Sequence, residues 1–329
     1  MVSPRTKAGL AFAAGLVFLG ALVAYVGPAT VARALASANL PLLAFAAGVY
    51  ALFFLLRGIR WRTLLSRSAP DVRVSSTTSI TAVGWLANSI LPLKGGDVLR
   101  AALVARRESL ALGPSAATVA LERVLDLVGL AAVAALGLLL IPAHGDLPEW
   151  LGRAMEVAWV VPLLALACLA LLVWLRAPAM RLCAAVCRPL GKPGAKLHGF
   201  VDTTVSGLDA LARRPRLLAV LLPLTLVVAA AQALIFALIV MAFIPGTPFG
   251  LAYGGSAMFL LSFVVSVTPG NVGTYEAAFV AVFVALGTPT DIAVPAAILT
   301  HLTTTFIVAV LGSLGMLALS LEPARRLEA

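Results

Sequence analysis

The sequence SILPLKGGDVLRAALVARR, from residue 89 to residue 107, decides how the chain can fold. It interrupts strongly apolar sequence with a proline, two adjacent glycines, an aspartate and four cations. Pro92 lacks an amide proton and restricts the residue before it, so an incoming helix should end there. Gly95 and Gly96 permit tight backbone and the close approach of a ligand. The stretch is therefore either an ordinary loop or irregular backbone held inside apolar surroundings.

Composition indicates what those surroundings are. Of the 329 residues, 61% are hydrophobic and only 12% are charged, whereas about 25% of a soluble chain is charged. A net charge of +10 is typical of cytoplasmic loops that meet anionic lipid head groups. We therefore predict one integral membrane domain over residues 1–329. Nucleic acid is not an expected partner, and we expect no cofactor and no metal site.

Apolar runs predict an all-α integral membrane protein with about six transmembrane helices and two re-entrant helical hairpins. Each predicted span is near or above the roughly 20 residues that a membrane crossing needs. Two further apolar stretches each end at a Pro-Gly break and are followed by a second short helical stretch, so we expect them to form the hairpins. The spans are predicted at 8–26, 40–59, 114–141, 155–176, 216–244 and 291–320, and the hairpins begin at 75–91 and 256–268.

The distribution of cations predicts the orientation in the membrane. By the positive-inside rule, the basic segments face the cytoplasm and the loops 142–153 and 245–250 face out. Six spans then leave both termini in the cytoplasm only if each hairpin returns to its side of entry. We expect a multi-pass protein of a bacterial or archaeal cytoplasmic membrane. The cytoplasmic segment 177–215 holds either a surface-lying helix or a plain basic loop. The first basic segment contains Arg57, Arg60, Arg62, Arg67 and Arg73.

The two breaks also resemble each other. Both read Ser-x-x-Pro with a glycine four residues after the proline, at Pro92 to Gly96 and at Pro269 to Gly273. Two spans, a hairpin and one span occur in that order twice, and three crossings per unit would invert the second unit. This pattern predicts inverted repeats over 1–153 and 154–329, whose breaks would meet at a substrate site. The alternative is two unrelated loops interrupted by proline and glycine.

The first break carries groups suited to an anion. Asp97 is placed to cap the following helix, and free N–H groups at a helix N-terminus suit phosphate. Lys94 and Arg100 flank these groups as a point charge and a bidentate donor. We expect Arg100 to contact substrate, whereas Lys94 either contacts substrate or reaches the cytoplasmic head-group layer.

Further polar residues lie at membrane depth. Glu122, Arg123 and Asp126 form either a structural ion-pair cluster or part of a substrate cavity. His301 is either a core histidine or a cavity residue. Glu276 must be paired or protonated at this depth. The second break adds Pro269 and Gly270 as helix-breaking residues, and Asn271 and Gly273 as candidate binding residues.

The order of these motifs resembles the lysylphosphatidylglycerol synthase transmembrane region family, whose members are also called flippase-like proteins. The resemblance implies inverted re-entrant elements and a link to flipping aminoacylated phospholipids or other lipid-linked substrates. Where the family usually has an arginine in the last span, this chain has His301. The motifs are Pro92-x-x-Gly-Gly-Asp-x-x-Arg100, Glu122-Arg123-x-x-Asp126 and Pro269-Gly-x-x-Gly-x-x-Glu276.

The leading hypothesis is a membrane lipid translocase that moves a phospholipid, an aminoacylated phospholipid or a lipid-linked substrate through a central polar cavity. Its partners would be lipids with phosphate head groups, and a separate lipid-modifying enzyme is a further partner to consider. The alternatives are an intramembrane enzyme that modifies lipids or lipid-linked sugars, and a scaffold subunit for a separate synthase. Because the chain ends at Ala329 without an acyltransferase domain, we do not expect synthase activity.

Overall fold

The computed structural model describes six stretches of the chain and some isolated residues between 20 and 36. The predicted spans at 8–26 and 155–176 fall almost wholly outside the described residues, and so does Pro92. Within the described part there are ten α-helices and no strand, which confirms the predicted all-α fold. The described stretches are 38–66, 69–91, 94–141, 176–212, 214–262 and 268–321.

The helices are numbered in chain order. They are α1 (Leu40–Leu65), α2 (Val74–Asn88), α3 (Gly95–Arg107), α4 (Leu112–Leu138), α5 (Arg176–Cys187), α6 (Gly191–Ala212), α7 (Pro215–Phe243), α8 (Phe249–Ser262), α9 (Thr274–Ala285) and α10 (Thr290–Leu321). Short 3₁₀ turns lie at Arg188–Leu190 and Pro269–Asn271.

Helix length separates the spans from the elements of the predicted hairpins. In the described part of the chain, α1, α7 and α10 are long and apolar enough to cross a membrane. Helix α4 has 27 residues but carries three ionisable groups in its middle. Helices α2, α3, α8 and α9 have 15, 13, 14 and 12 residues, or roughly 18–23 Å each, less than the hydrocarbon core of about 30 Å. The re-entrant interpretation requires such short helices.

The helices pack as two related sets. Helix α1 lies along α7, α2 packs between α1 and α10, and α8 packs between α7 and α4. If α1–α4 are exchanged in order for α7–α10, the α1–α2 contact corresponds to the α7–α8 contact, and the α2–α10 contact corresponds to the α8–α4 contact. The α1–α7 contact corresponds to itself. The two sets share one apolar core that includes the aromatic residues Tyr50, Phe53, Phe54, Phe236, Phe259 and Phe279.

Glycines allow the helices to cross closely, as is common where helices associate in lipid. A Cβ atom at Gly96 would lie 2.0 Å from the carbonyl oxygen of Gly84, so α2 and α3 touch through their backbones. Gly137 of α4 likewise meets Gly254 of α8, where an added Cβ at Gly254 would lie 2.5 Å from the Gly137 carbonyl oxygen. Gly96 was predicted to allow the close approach of a ligand, but it allows the close approach of the α2 backbone.

Helix α1 continues beyond its predicted end at residue 59. It begins at Asn39, whose side chain accepts a hydrogen bond from the Leu42 amide at 3.2 Å, and it runs to Leu65. Arg57 and Arg60, predicted to be cytoplasmic loop cations, are therefore helical, and their side chains are 1% and 0% exposed. That prediction is wrong because carboxylates on α4 provide both arginines with partners inside the protein.

The segment predicted at 177–215 contains two helices, α5 and α6, so it is helical and not a plain loop, while its position at the cytoplasmic membrane surface stays a prediction. Helix α6 packs on α4. Both helices expose large apolar side chains, among them Leu182, Val186, Leu197 and Phe200. This mixture of exposed apolar residues and neighbouring cations is typical of helices at a membrane surface.

The backbone contact between α2 and α3 generates a stability prediction. The change Gly96→Ala should destabilise the protein by roughly 1–3 kcal/mol, the usual cost of overpacking, because its Cβ would meet backbone. Thermal unfolding of the detergent-solubilised chain measures this effect.

The matched control is Gly113→Ala on α4, where an added Cβ would meet nothing within 4 Å. We expect this substitution to leave the melting temperature unchanged or to raise it slightly. Equal melting temperatures for the two variants would contradict the close crossing.

Candidate functional site

A cavity of about 510 Å³ lies where the two breaks approach each other. Leu91 and Lys94 flank the first break, Gly270 and Asn271 belong to the second, and all four line this cavity. Its volume lies within the range of about 300–1,000 Å³ that is usual for small-molecule sites. Residues of both breaks therefore line the same cavity.

One side of the cavity is charged. Arg57 of α1, Lys94 before α3, and Arg123 and Asp126 of α4 line it, and these four residues are called the charged wall below. Asp126 accepts hydrogen bonds from Arg57 Nη1 at 3.2 Å and Nη2 at 2.8 Å. It also accepts from Arg60 Nη2 and, at 3.4 Å, from Arg123 Nη1. The Asp126 carboxylate therefore already has three cationic partners.

Behind this wall lies a second, fully buried carboxylate. Glu122 is 0% exposed and accepts from Arg60 Nη2 at 3.3 Å and from Arg100 Nη2. The Arg100 guanidinium also lies 4.4 Å from the centre of the Trp61 ring, where it gains a cation–π contact. Arg100, predicted to contact substrate, is itself fully buried and lies outside the cavity lining.

Asp97 has a different role from the one predicted. It does not cap α3, since the N-cap is Lys94, whose side chain makes no capping hydrogen bond. Asp97 instead accepts two hydrogen bonds from Arg123, from Nε at 2.8 Å and from Nη2 at 2.7 Å. The Gly96 amide donates to Asn88 Oδ1 at 2.8 Å, so this amide is not available to a phosphate. The first break therefore offers the Lys94 side chain to the cavity, and the Gly96 amide at the start of α3 is engaged by the protein.

These residues form one network, the arginine–carboxylate cluster. Among the described residues it contains four arginines and three carboxylates, so one positive charge is in excess. Lys94 adds another cation on the cavity wall. Ionisable groups at membrane depth are costly unless they are paired, and an uneven count favours an anionic ligand. The members of the cluster are Arg57, Arg60, Arg100, Arg123, Asp97, Glu122 and Asp126.

The second half of the chain contributes uncharged hydrogen-bonding side chains to the cavity lining, and this group is called the neutral wall below. Its members come from α7, from the second break and from α9 and α10. Thr268 Oγ1 lies 2.8 Å from Thr274 Oγ1, and Thr304 Oγ1 donates to the Thr300 carbonyl at 2.9 Å. Both hydroxyl oxygens can still accept from a ligand. The neutral wall comprises Gln232, Thr268, Asn271, Tyr275, Thr304 and Thr305.

His301 and Glu276 form a pair beside the neutral wall. His301 Nδ1 lies 2.6 Å from Glu276 Oε1, and the Tyr275 ring stacks on the imidazole with 4.2 Å between the centroids. The other Glu276 oxygen accepts from the Gly273 amide at 2.7 Å and caps α9. The predicted need of Glu276 for a partner is thus met within the protein. His301 lines the cavity, whereas Glu276 is not among the described residues that do.

The backbone is left-handed at both breaks. Lys94 and Asn271 have φ angles of 53° and 62°, and both side chains line the cavity. Such angles are uncommon for residues other than glycine, although asparagine tolerates them. Each break therefore places one polar, non-glycine residue in a strained conformation at the cavity, which is a frequent property of binding sites.

Sequence reasoning missed several residues of the site. Arg57 and Arg60 were assigned to a loop, although their spacing of three residues places them on one helical face. Tyr50, Trp85 and Gln232 line the cavity but lie in apolar helical sequence that gives no signal. The Arg57 guanidinium lies 5.3 Å from the centre of the Trp85 ring.

The buried pair of Glu122 and Arg100 generates a prediction about folding. Replacing the carboxylate in Glu122→Gln leaves the Arg100 guanidinium buried without an anion, which should cost roughly 3–5 kcal/mol. The double variant Glu122→Gln with Arg100→Met should recover part of that loss. Thermal unfolding in detergent tests both statements.

The control is Glu108→Gln, a half-buried position at the C-terminal end of α3. A carboxylate at a helix C-terminus is slightly unfavourable, so this substitution should not lower stability. If the double variant lost the sum of both single losses, the pairing of Glu122 with Arg100 would be refuted.

Known proteins place this arrangement in a family. The model of the lysylphosphatidylglycerol synthase TM region matches residues 8–312. Glycosyltransferase AglD of Haloferax volcanii is 30% identical over 152 residues, which are 45% of this chain and 24% of the relative. No solved structure matches significantly. The chain is a multi-pass membrane protein that belongs to the lysylphosphatidylglycerol synthase TM region family.

Proposed function

We propose that the chain is a lipid translocase that admits the phosphate of an anionic lipid to the charged wall of the cavity. The acyl chains would remain in the surrounding bilayer while the head group crosses through the protein. The observation that carries this proposal is the excess of cations around a cavity lined by both breaks. The family match supports a lipid-related role for the cavity.

The charged wall has the donors that a phosphate needs. Arg57 and Arg123 are held in place by carboxylates, so their guanidinium groups are ordered before a ligand arrives. Phosphate binds well to such donors and to lysine as a point charge.

Buried residues next to the charged wall would hold its side chains in position. Arg60, Arg100 and Glu122 are fully buried and lie outside the cavity lining. Their charges contribute to the orientation of Arg57 and of Asp126, whereas Asp97 provides the closest contacts of Arg123. In this proposal Arg100 acts through Glu122 and does not touch the lipid.

The paired packing supports an inverted repeat as the basis of movement. Helices α1–α4 and α7–α10 make corresponding contacts, and each set contains two short helices around a break. In transporters of this design, one set rocks against the other around a central site. We propose the same motion here, with both termini in the cytoplasm.

The glycosyltransferase relative favours a second candidate, in which the lipid carries a sugar that the protein moves or helps to transfer. That relative is named for sugar transfer, and the present chain matches only part of it. Formation of a new glycolipid by the purified protein from a lipid-linked sugar would favour enzymatic action. Movement of the intact lipid between leaflets would favour the translocase.

A transport assay tests the proposal. Proteoliposomes containing the full chain should move fluorescent, acyl-labelled phosphatidylglycerol between leaflets faster than liposomes without protein. Because Lys94 contributes charge on the cavity wall, Lys94→Gln should slow this movement roughly tenfold, which corresponds to about 1.4 kcal/mol. A quencher added outside the vesicles reports the movement of the label.

The matched control is Arg106→Gln, an exposed cation on α3 that does not line the cavity. It removes the same charge from the chain and should leave the rate unchanged. Equal slowing by both substitutions would indicate a general charge effect and would contradict a phosphate site at Lys94.

A further inference from the structure

The chemistry of the two walls also bears on which head group fits, an inference that rests on the proposed translocase function. We infer that the cavity selects lipids whose phosphate carries a hydroxylated, uncharged group, such as glycerol or a sugar. It disfavours lipids whose head group ends in an ammonium ion, as an aminoacylated lipid does. One cavity that is lined by charged residues from the first half of the chain and by uncharged polar residues from the second half carries this inference.

Each carboxylate that the structure describes at or beside the cavity already has hydrogen-bonding partners within the protein. Among the described residues that line the cavity, Asp126 is the one that carries a carboxylate. It contacts Arg57, Arg60 and Arg123. Asp97 is held by the Arg123 fork, and Glu276 is held by His301 and the Gly273 amide. An ammonium ion entering the cavity would have to displace one of these partners. It would also meet the excess positive charge of the charged wall, and like charges within a few ångströms repel.

The neutral wall offers what a hydroxylated head group requires. Amide and hydroxyl side chains such as Gln232, Asn271 and Thr305 both donate and accept hydrogen bonds. Hydroxyl groups of glycerol or of a sugar also do both, so they match this wall without adding charge. The phosphate at the charged wall and the hydroxyl groups at the neutral wall would place one head group across the cavity.

The hydrogen-bonding groups of the neutral wall also favour a hydroxylated head group over one that ends in an ammonium ion. A site built to hydrogen-bond hydroxyl groups discriminates strongly against a ligand that leaves its polar groups unpaired. An ammonium donates hydrogen bonds but accepts none, so it can pair with oxygens of the neutral wall but leaves donors such as the Gln232 amide without an acceptor. The neutral wall therefore satisfies an ammonium less completely than a hydroxyl group, and the charged wall repels it.

The experiment compares labelled lipids in proteoliposomes of the full chain. We expect phosphatidylglycerol, or a short isoprenyl phosphoryl glucose, to move at least tenfold faster than lysyl-phosphatidylglycerol. The first two probes share the required chemistry, and the faster of them identifies a phospholipid or a lipid-linked sugar as the source of the head group. If lysyl-phosphatidylglycerol moved as fast as both, the inference would be overturned.

A substitution on the neutral wall tests the cause. Asn271→Asp adds a carboxylate to this wall, and aspartate also tolerates the left-handed backbone found there. It should raise the rate for lysyl-phosphatidylglycerol relative to phosphatidylglycerol at least tenfold. Gln232→Glu on α7 makes the same change from another helix, so that a folding defect in one variant does not decide the outcome.

The matched control is Asn39→Asp, an exposed N-cap of α1 at which aspartate caps as well as asparagine. Its ratio of rates should equal that of the unsubstituted chain. An unchanged ratio in folded Asn271→Asp and Gln232→Glu would refute the role of the neutral wall.

Failure of the translocase proposal is a separate outcome. If no lipid moved, that proposal would fall, and selectivity would be measured by the thermal stabilisation that short-chain forms of these lipids give in detergent. Stronger stabilisation by the phosphatidylglycerol form would support the inference, and equal stabilisation by the lysylated form would overturn it.

Discussion

The structure depends on two carboxylates of α4, Glu122 and Asp126, that hold arginines from α1, α3 and α4 inside the protein. Without these anions, the buried guanidinium groups of Arg57, Arg60 and Arg100 would carry an uncompensated desolvation cost. The pairs also decide where α1 ends, because a helix with bound arginines can continue past the apolar run. The same contacts orient the cations that face the cavity, so folding and the proposed lipid recognition would rest on one cluster.

The cluster draws its members from the first half of the chain, whereas the second half contributes uncharged groups and the pair of Glu276 and His301. The two sets of helices have the same order and packing but different chemistry at their breaks. Lys94 and Asn271 illustrate the contrast, since both have left-handed backbone at the cavity and only one carries charge. A repeated architecture thus brings two unlike surfaces to one cavity.

Much of this arrangement could be predicted from the sequence, and the exceptions have physical causes. Composition and apolar run length are local properties, so they predict the all-α membrane class and the interruptions around Gly95 and Gly270. Side-chain partners are not local. Asp97 looks like a helix cap in sequence, but Arg123, 26 residues further on, takes its carboxylate. Arg57 looks like an anchor at the membrane edge because its partner Asp126 lies 69 residues away.

The separation of the two walls has a consequence for how members of this family diverge. Arg57, Arg123 and Asp126 of the charged wall belong to the ion pairs on which folding depends, so we expect substitutions of these residues to carry a large stability cost. The neutral wall contains side chains such as Gln232 and Thr305 that bury no ion and support no ion pair of the cluster. We expect relatives to acquire new lipid preferences by changing the neutral wall while the charged wall stays fixed. One fold can then serve membranes of different composition.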